Sequence, residues 1–180
     1  HGVRQLVIHV VFGIEGPGAG RDGLEALRAV TRHARQADVV VAVENTRRDE
    51  LARYALERID EPHLAFCYDS SHDWLWGEPY LGMLRQFGHR LVQTHLSDTW
   101  HGSDRHLLPG DGGIDWPKLA GAFRRHAPQP RVLLEVLPMD VSAMGPPDAF
   151  LLEARRRYDW LKALLSESDG CRRQGQVARE

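Results

Sequence analysis

The chain has 180 residues, with 23 Lys and Arg against 25 Asp and Glu for a formal net charge of −2 at pH 7, and 42% of its residues are hydrophobic. That length supports one domain with a sizeable core, and the near-neutral balance gives no general surface for a polyanion. No run approaches the ~18 consecutive apolar residues of a membrane span and no charged-apolar-small leader opens the chain, so the expected location is the cytoplasm.

Five short apolar runs have strand length: Gln5 to Val11, Asp38 to Val43, Leu64 to Tyr68, Arg90 to Thr94 and Arg131 to Leu134. Segments of helical period alternate with them: Gly23 to Gln36, Arg47 to Ile59, Pro79 to Phe87 and Trp116 to His126, with a last helix from Pro147 to Leu165. Unbroken apolar strands alternating with helices predict an α/β fold whose parallel sheet is covered by helices. We read a single domain over residues 1–166, a short Gly-rich loop at Pro109 to Gly113, and a polar tail, 167–180, expected to be disordered. Cys67 falls in a strand and Cys171 in that tail, so no disulfide is expected. Only Lys118 and Lys162 are lysine and neither ends a strand, which excludes Schiff-base chemistry at a strand end.

What ends each strand separates a closed barrel from an open sheet. His9, Glu44, Asp69, His95 and Glu135 place one metal-capable side chain near the C-terminal end of every predicted strand, the last four at spacings of 25, 26 and 40 residues. In a closed parallel barrel these ends converge on one rim; an open sheet spreads them along a line. Any one of them alone reads as a rim salt bridge or a helix cap. Glu44, Asp69, His95 and Glu135 together read as a site for Mn²⁺, Mg²⁺, Co²⁺ or Zn²⁺, because buried carboxylates need compensation and these are oxygen and nitrogen donors without thiolate. His9, His72, Asp104 and His106 form a second group. His72 follows Asp69 by one turn, and alternation points Asp104 and His106 the same way. For each of these four the reading as a surface loop residue stands beside the functional one, and His101 is left open.

The runs Val41-Ala-Val-Glu44-Asn45, Cys67-Tyr-Asp69-Ser-Ser-His72, Thr94-His95-Leu-Ser-Asp98, Asp104-Arg-His106-Leu-Leu-Pro-Gly110-Asp-Gly and Ile114-Asp-Trp116 resemble the xylose-isomerase-like barrel superfamily. That superfamily includes sugar phosphate isomerases and epimerases, inosose-type isomerases, ketose 3-epimerases and zinc-dependent apurinic endonucleases. The resemblance implies a (β/α)₈ barrel, incomplete here. A whole barrel needs roughly 250 residues, so the expectation is strands four to eight in sequential order, and a start on His1 rather than Met fits a piece of a longer protein.

The resemblance to the epimerases implies that Glu44, Asp69, His95 and Glu135 hold the metal and that Glu44 and Glu135 are also the catalytic acid and base of an enediolate reaction. It also implies that His72 hydrogen-bonds a substrate oxygen. The resemblance to the endonucleases implies that His9, His72, Asp104 and His106 are ligands of further zinc ions. The expected function is therefore a divalent-metal-dependent isomerase or epimerase of a sugar, sugar phosphate or polyol. The alternatives are an apurinic endonuclease-like phosphodiesterase and an inactive barrel piece. A small carbohydrate is the expected partner, with neither membrane nor nucleic acid, and a homo-oligomer is compatible with all of this. The strongest basic runs, Arg124-Arg125 and Arg155-Arg156-Arg157, fall on helices away from the rim, which weighs against DNA.

Overall fold

A computed structural model describes residues 2–10, 21–127, 129–138 and 146–166. Four strands, β1 (Gln5–Ile8), β2 (Val40–Glu44), β3 (Leu64–Asp69) and β4 (Leu91–His95), pair in parallel and in sequential order. The architecture is a parallel half-barrel, part of a (β/α)₈ wall. Every residue of β3 is buried, which is why it reads as an unbroken Leu-Ala-Phe-Cys-Tyr run before its terminal Asp69. Alternation sorts the side chains onto two faces. Val41, Val43, Phe66 and Tyr68 pack against the helices in the larger core, while Ala42, Ala65 and Cys67 cluster on the other face with Val7, Val40 and Val92. That second face is lined by small side chains low down and ends in Glu44 and Asp69, one strand step above Ala42 and Cys67.

Helices α1 (Arg21–Gln36), α2 (Asp49–Arg58), α3 (Ser70–Trp76), α4 (Gly82–Phe87), α5 (Trp116–His126) and α6 (Pro147–Ser166) make up the helical part. α1 buries Leu24, Leu27, Thr31 and Ala34, an amphipathic stripe turned to the core. The start of α5 is set by Asp115, whose carboxylate accepts from Lys118 N at 2.9 Å, and by a proline in its first turn.

The structure departs from expectation in three places. The stretch Arg131 to Leu134 forms only one parallel bridge, Leu96 to Leu134, flanked by Leu96 N to Leu133 O at 2.9 Å and Glu135 N to Leu96 O at 3.2 Å. The Thr94 hydroxyl replaces the ladder there, donating to Arg131 O at 2.7 Å and accepting from Leu133 N at 3.3 Å. Helix α3 follows β3 with no loop between them. An antiparallel hairpin, β5 (Asp98–Trp100) and β6 (Ser103–Leu107), rises after β4.

The hairpin is anchored by Asp98, which is fully buried. Its Oδ1 accepts from Thr99 N at 2.9 Å and Ile114 N at 3.1 Å, and its Oδ2 from Gly110 N and Trp116 Nε1, both at 2.8 Å. These bonds fold the Gly-rich loop onto the hairpin so closely that a Cβ on Gly112 would meet Asp98 Oδ1 at 2.3 Å. The expected polar tail and Cys171 lie outside the described residues, as does Val11 at the end of the first predicted strand. Cys67 is free and buried. Among the described residues no helix is long and apolar enough to cross a membrane.

Candidate metal centre

The register of the sheet sets Glu44 beside Cys67 and Asp69 beside His95. Glu44 is 2% exposed and Asp69 is wholly buried. Where the ladder between β2 and β3 stops, the Asn45 side chain extends it: its Oδ1 accepts from Asp69 N at 2.8 Å and its Nδ2 donates to Asp69 O at 2.9 Å. The Asp69 carboxylate has two different oxygens. Oδ1 caps α3, accepting from His72 N at 2.8 Å and Ser71 Oγ at 3.0 Å. Oδ2 makes no hydrogen bond.

One ligand atom from each of Glu44, Asp69, His95 and Glu135 lies within 4.8 Å of the others. His95 Nδ1 stands 3.0 Å from Glu44 Oε2 and 2.7 Å from Glu135 Oε2. The four predicted residues therefore meet at one place. Glu44 Oε1 and Asp69 Oδ2 are buried without a hydrogen bond, while His95 Nδ1 and Glu135 Oε2, both buried, face each other as an ion pair at 2.7 Å. Buried polar atoms ordinarily find partners. Three carboxylates and an imidazole around one point fit a divalent cation in both charge and donor type.

The chain's own protons show the same imbalance. Burial pushes the Asp69 carboxyl up to about 6, against the pull of His72. Burial also raises Glu44, but His72 and His95 outweigh it and bring the group down to about 2. Burial disfavours the His95 cation, yet Cys67, Glu135 and Glu44 together push it up to about 12. A proton on His95 thus offsets part of the carboxylate charge gathered here.

The second predicted group divides. His72, Asp104 and His106 form their own cluster, again with one ligand atom each within 4.8 Å of the others. Asp104 Oδ2 is 3.1 Å from both His72 Nε2 and His106 Nε2. The remaining ring nitrogens face backbone carbonyls, His72 Nδ1 at 2.9 Å from Asn45 O and His106 Nδ1 at 3.1 Å from Glu135 O. His106 holds φ 47°, a left-handed conformation rare for a residue with a side chain. His9 belongs beside the first cluster: its side chain is 59% exposed and its Nε2 lies 3.3 Å from Glu44 Oε2. Trp76 leans over the His72 ring at 5.5 Å, whereas Trp74 stacks on His101 at 5.0 Å.

Three residues near the centre escaped the reading of strand ends. Asn45 and Ser71 sit directly beside predicted ligands in the sequence, and Ser71 Oγ reaches both Asp69 Oδ1 and Asp104 Oδ1 at 3.0 Å, joining the clusters. Cys67 groups with Glu44 and His95. Its place two residues before Asp69, on the same strand face, was the available signal.

A family model described as "Xylose isomerase-like TIM barrel" matches residues 2–164. The chain belongs to that family. Protein y4fM of Sinorhizobium fredii (strain NBRC 101917 / NGR234) is 34% identical over 101 residues, 52% of this chain and 32% of that protein. A xylose isomerase domain protein from Alicyclobacillus acidocaldarius subsp. acidocaldarius superposes with a TM-score of 0.72 at 20% identity, covering 92% of this chain and 66% of that one. D-psicose 3-epimerase with D-tagatose from Clostridium cellulolyticum H10 gives a TM-score of 0.63 at 16% identity, covering 88% and 64%. The chain thus spans about a third of y4fM and under two thirds of each of these barrel structures. Within the xylose isomerase-like family, this chain holds its ionisable cluster where barrels keep their active sites, at the C-terminal strand ends.

Proposed function

We propose that this chain carries the cation site of a divalent-metal-dependent sugar isomerase or epimerase. The observation that supports this best is the convergence of Glu44, Asp69, His95 and Glu135 within 4.8 Å, with Glu44 Oε1 and Asp69 Oδ2 buried and without a hydrogen bond. The bound cation would supply Lewis-acid polarisation of a substrate carbonyl and its neighbouring hydroxyl. Glu44 and Glu135 approach His95 from separate segments, the end of β2 and the bridge after Leu134. In this reading one takes the proton from the carbon next to the carbonyl, an enediolate forms, and the other returns a proton to the opposite face. His9, beside Glu44, and Trp76, over the His72 ring, would contact a small carbohydrate bound there. The resemblance in fold to D-psicose 3-epimerase from Clostridium cellulolyticum H10 supports the same substrate class.

The test is epimerisation of free ketoses in D₂O by the full-length protein loaded with Mn²⁺. Deuterium should enter the product at the inverted carbon. A product without label would replace proton transfer with a hydride shift, and turnover without any divalent cation would remove the metal from the reading.

The His72–Asp104–His106 cluster supports a second reading, a phosphodiesterase with more than one cation. Surface charge weighs against it, because the arginine run on α6 is engaged in ion pairs: Arg155 with Asp159, Arg156 and Arg157 with Glu153. Cleavage of an oligonucleotide containing an abasic site, with no action on any ketose, would reverse the order of the two.

A further inference from the structure

We infer that the groove between the second half of α1 and the end of α2 is a separate binding site, for the phosphate monoester of a small polyhydroxylated molecule. The site stands apart from the metal centre and does not depend on the proposed reaction. The groove holds about 340 Å³ over a buried floor of Thr31 and Ile59, a volume that suits a small metabolite. Its walls are Arg28 and Arg32 on α1, Arg58 at the end of α2, and the acidic pair Asp60 and Glu61 just before β3. The metal centre lies at the far end of that six-residue strand, roughly 17 Å away.

Arginines at the end of a helix ordinarily satisfy its last carbonyls, and here that is done without Arg32 or the side chain of Arg58. Arg90 donates to Leu56 O at 2.7 Å and to Ile59 O at 3.0 Å, while Arg28 donates to Arg58 O at 3.1 Å. Arg28 is engaged a second time, by Glu25 at 3.0 Å. Among the described residues the Arg32 side chain makes no hydrogen bond or ion pair. The Arg58 guanidinium lies 3.8 Å from the centre of the Tyr54 ring, with Glu57 Oε2 no nearer than 3.6 Å. Stacking of this kind holds a guanidinium in place and leaves its N–H edge for an acceptor, and a phosphate accepts two such bonds at once. The acidic wall selects the rest of the ligand. Glu61 is engaged by Arg35 at 3.7 Å and His63 at 3.5 Å, whereas Asp60 has no hydrogen bond or ion pair of its own among the described residues. That carboxylate repels a bare phosphate ion but accepts hydrogen bonds from the hydroxyls of a phosphorylated polyol.

The test titrates the metal-free, full-length protein by calorimetry at low ionic strength, with glucose 6-phosphate, fructose 6-phosphate and ribose 5-phosphate, and with glucose and inorganic phosphate as controls. At least one ester should bind and glucose should not. Arg32→Gln and Arg58→Gln should each weaken that binding about five- to tenfold, as expected for losing a charge-assisted bond at an exposed position. Both side chains are exposed, so an unchanged melting temperature should confirm that each variant is folded. Asp60→Asn should move the two phosphates in opposite directions, weakening the ester and tightening inorganic phosphate. In amide exchange the bound ester should protect residues 28–32 and 57–61 and leave residues 40–45 unchanged. No binding of any of the three esters at about 10 mM would overturn the site. So would binding that survives both arginine substitutions, or protection confined to residues 40–45. Inorganic phosphate that binds as tightly as the ester and responds to Asp60→Asn in the same direction would reduce the groove to a plain anion patch and overturn the ligand class.

Discussion

Asp98 and Asp69 are both fully buried, yet they are satisfied in opposite ways. Four donors of the chain itself surround Asp98, two on each oxygen. Asp69 gives one oxygen to the start of α3 and leaves the other without a hydrogen bond, as Glu44 does with its Oε1. A buried carboxylate costs free energy unless it is compensated. Compensation from within, as at Asp98, builds structure. Compensation left open, as at Asp69, is what the proposed cation would complete.

The largest effect expected is on turnover. Glu135→Gln keeps size and one ligand oxygen but cannot accept a proton, so epimerisation should fall by about 10² to 10⁴ while Mn²⁺ affinity changes much less. Near-normal turnover with metal retained would end the proton-transfer role. Asp98→Ala strands four donors and should destabilise the fold by about 3 to 5 kcal/mol in urea unfolding, whether or not Mn²⁺ is present. A loss under about 1 kcal/mol would mean that water readily replaces the carboxylate. Next in size is Mn²⁺ itself: at a hundred times its Kd it should stabilise the protein by about 2.7 kcal/mol, and Asp69→Asn should abolish that shift.

The smallest effect sharpens the contrast most. Burial, opposed by His72, places the folded-state pKa of Asp69 at about 6, above its ordinary 3.8, so the proton-bound form is the one the fold favours. The stability tied to that proton is complete below the ordinary carboxyl pKa and is lost as pH rises through about 6. Metal-free Asp69→Asn, which still caps α3, should therefore melt at or above the unaltered protein at pH 8 and lose that advantage near pH 4. A clear drop in melting temperature at pH 8 would show that Asp69, like Asp98, is satisfied by the chain.

Much of this centre was legible because period-2 strands and one-unit spacing place strand-end residues on a common rim. Glu44, Asp69 and His95 end paired strands and were found by that rule alone. Glu135 was found by it too, although its strand shrinks to a bridge, because the Thr94 hydroxyl holds the segment in parallel alignment without a ladder. Helix α3 was missed since Asp69 is at once strand end, ligand candidate and helix cap, leaving no turn residues to announce a helix. The hairpin was missed because Asp98-Thr-Trp and Ser103-Asp-Arg-His are polar. Their pairing depends on the buried Asp98, a tertiary contact that hydrophobic periodicity does not encode.

The hairpin has its own ladder and meets the wall segment at Glu135 and Leu137 only through His106, and its tip at Gly102 has φ +96° and open space around it. Its base carries Asp104 and His106, whereas the wall carries the four converging donors. Two pieces with separate hydrogen-bond ladders can diverge at separate rates. A longer or differently charged tip could be grafted there while the wall with its four converging donors is left intact.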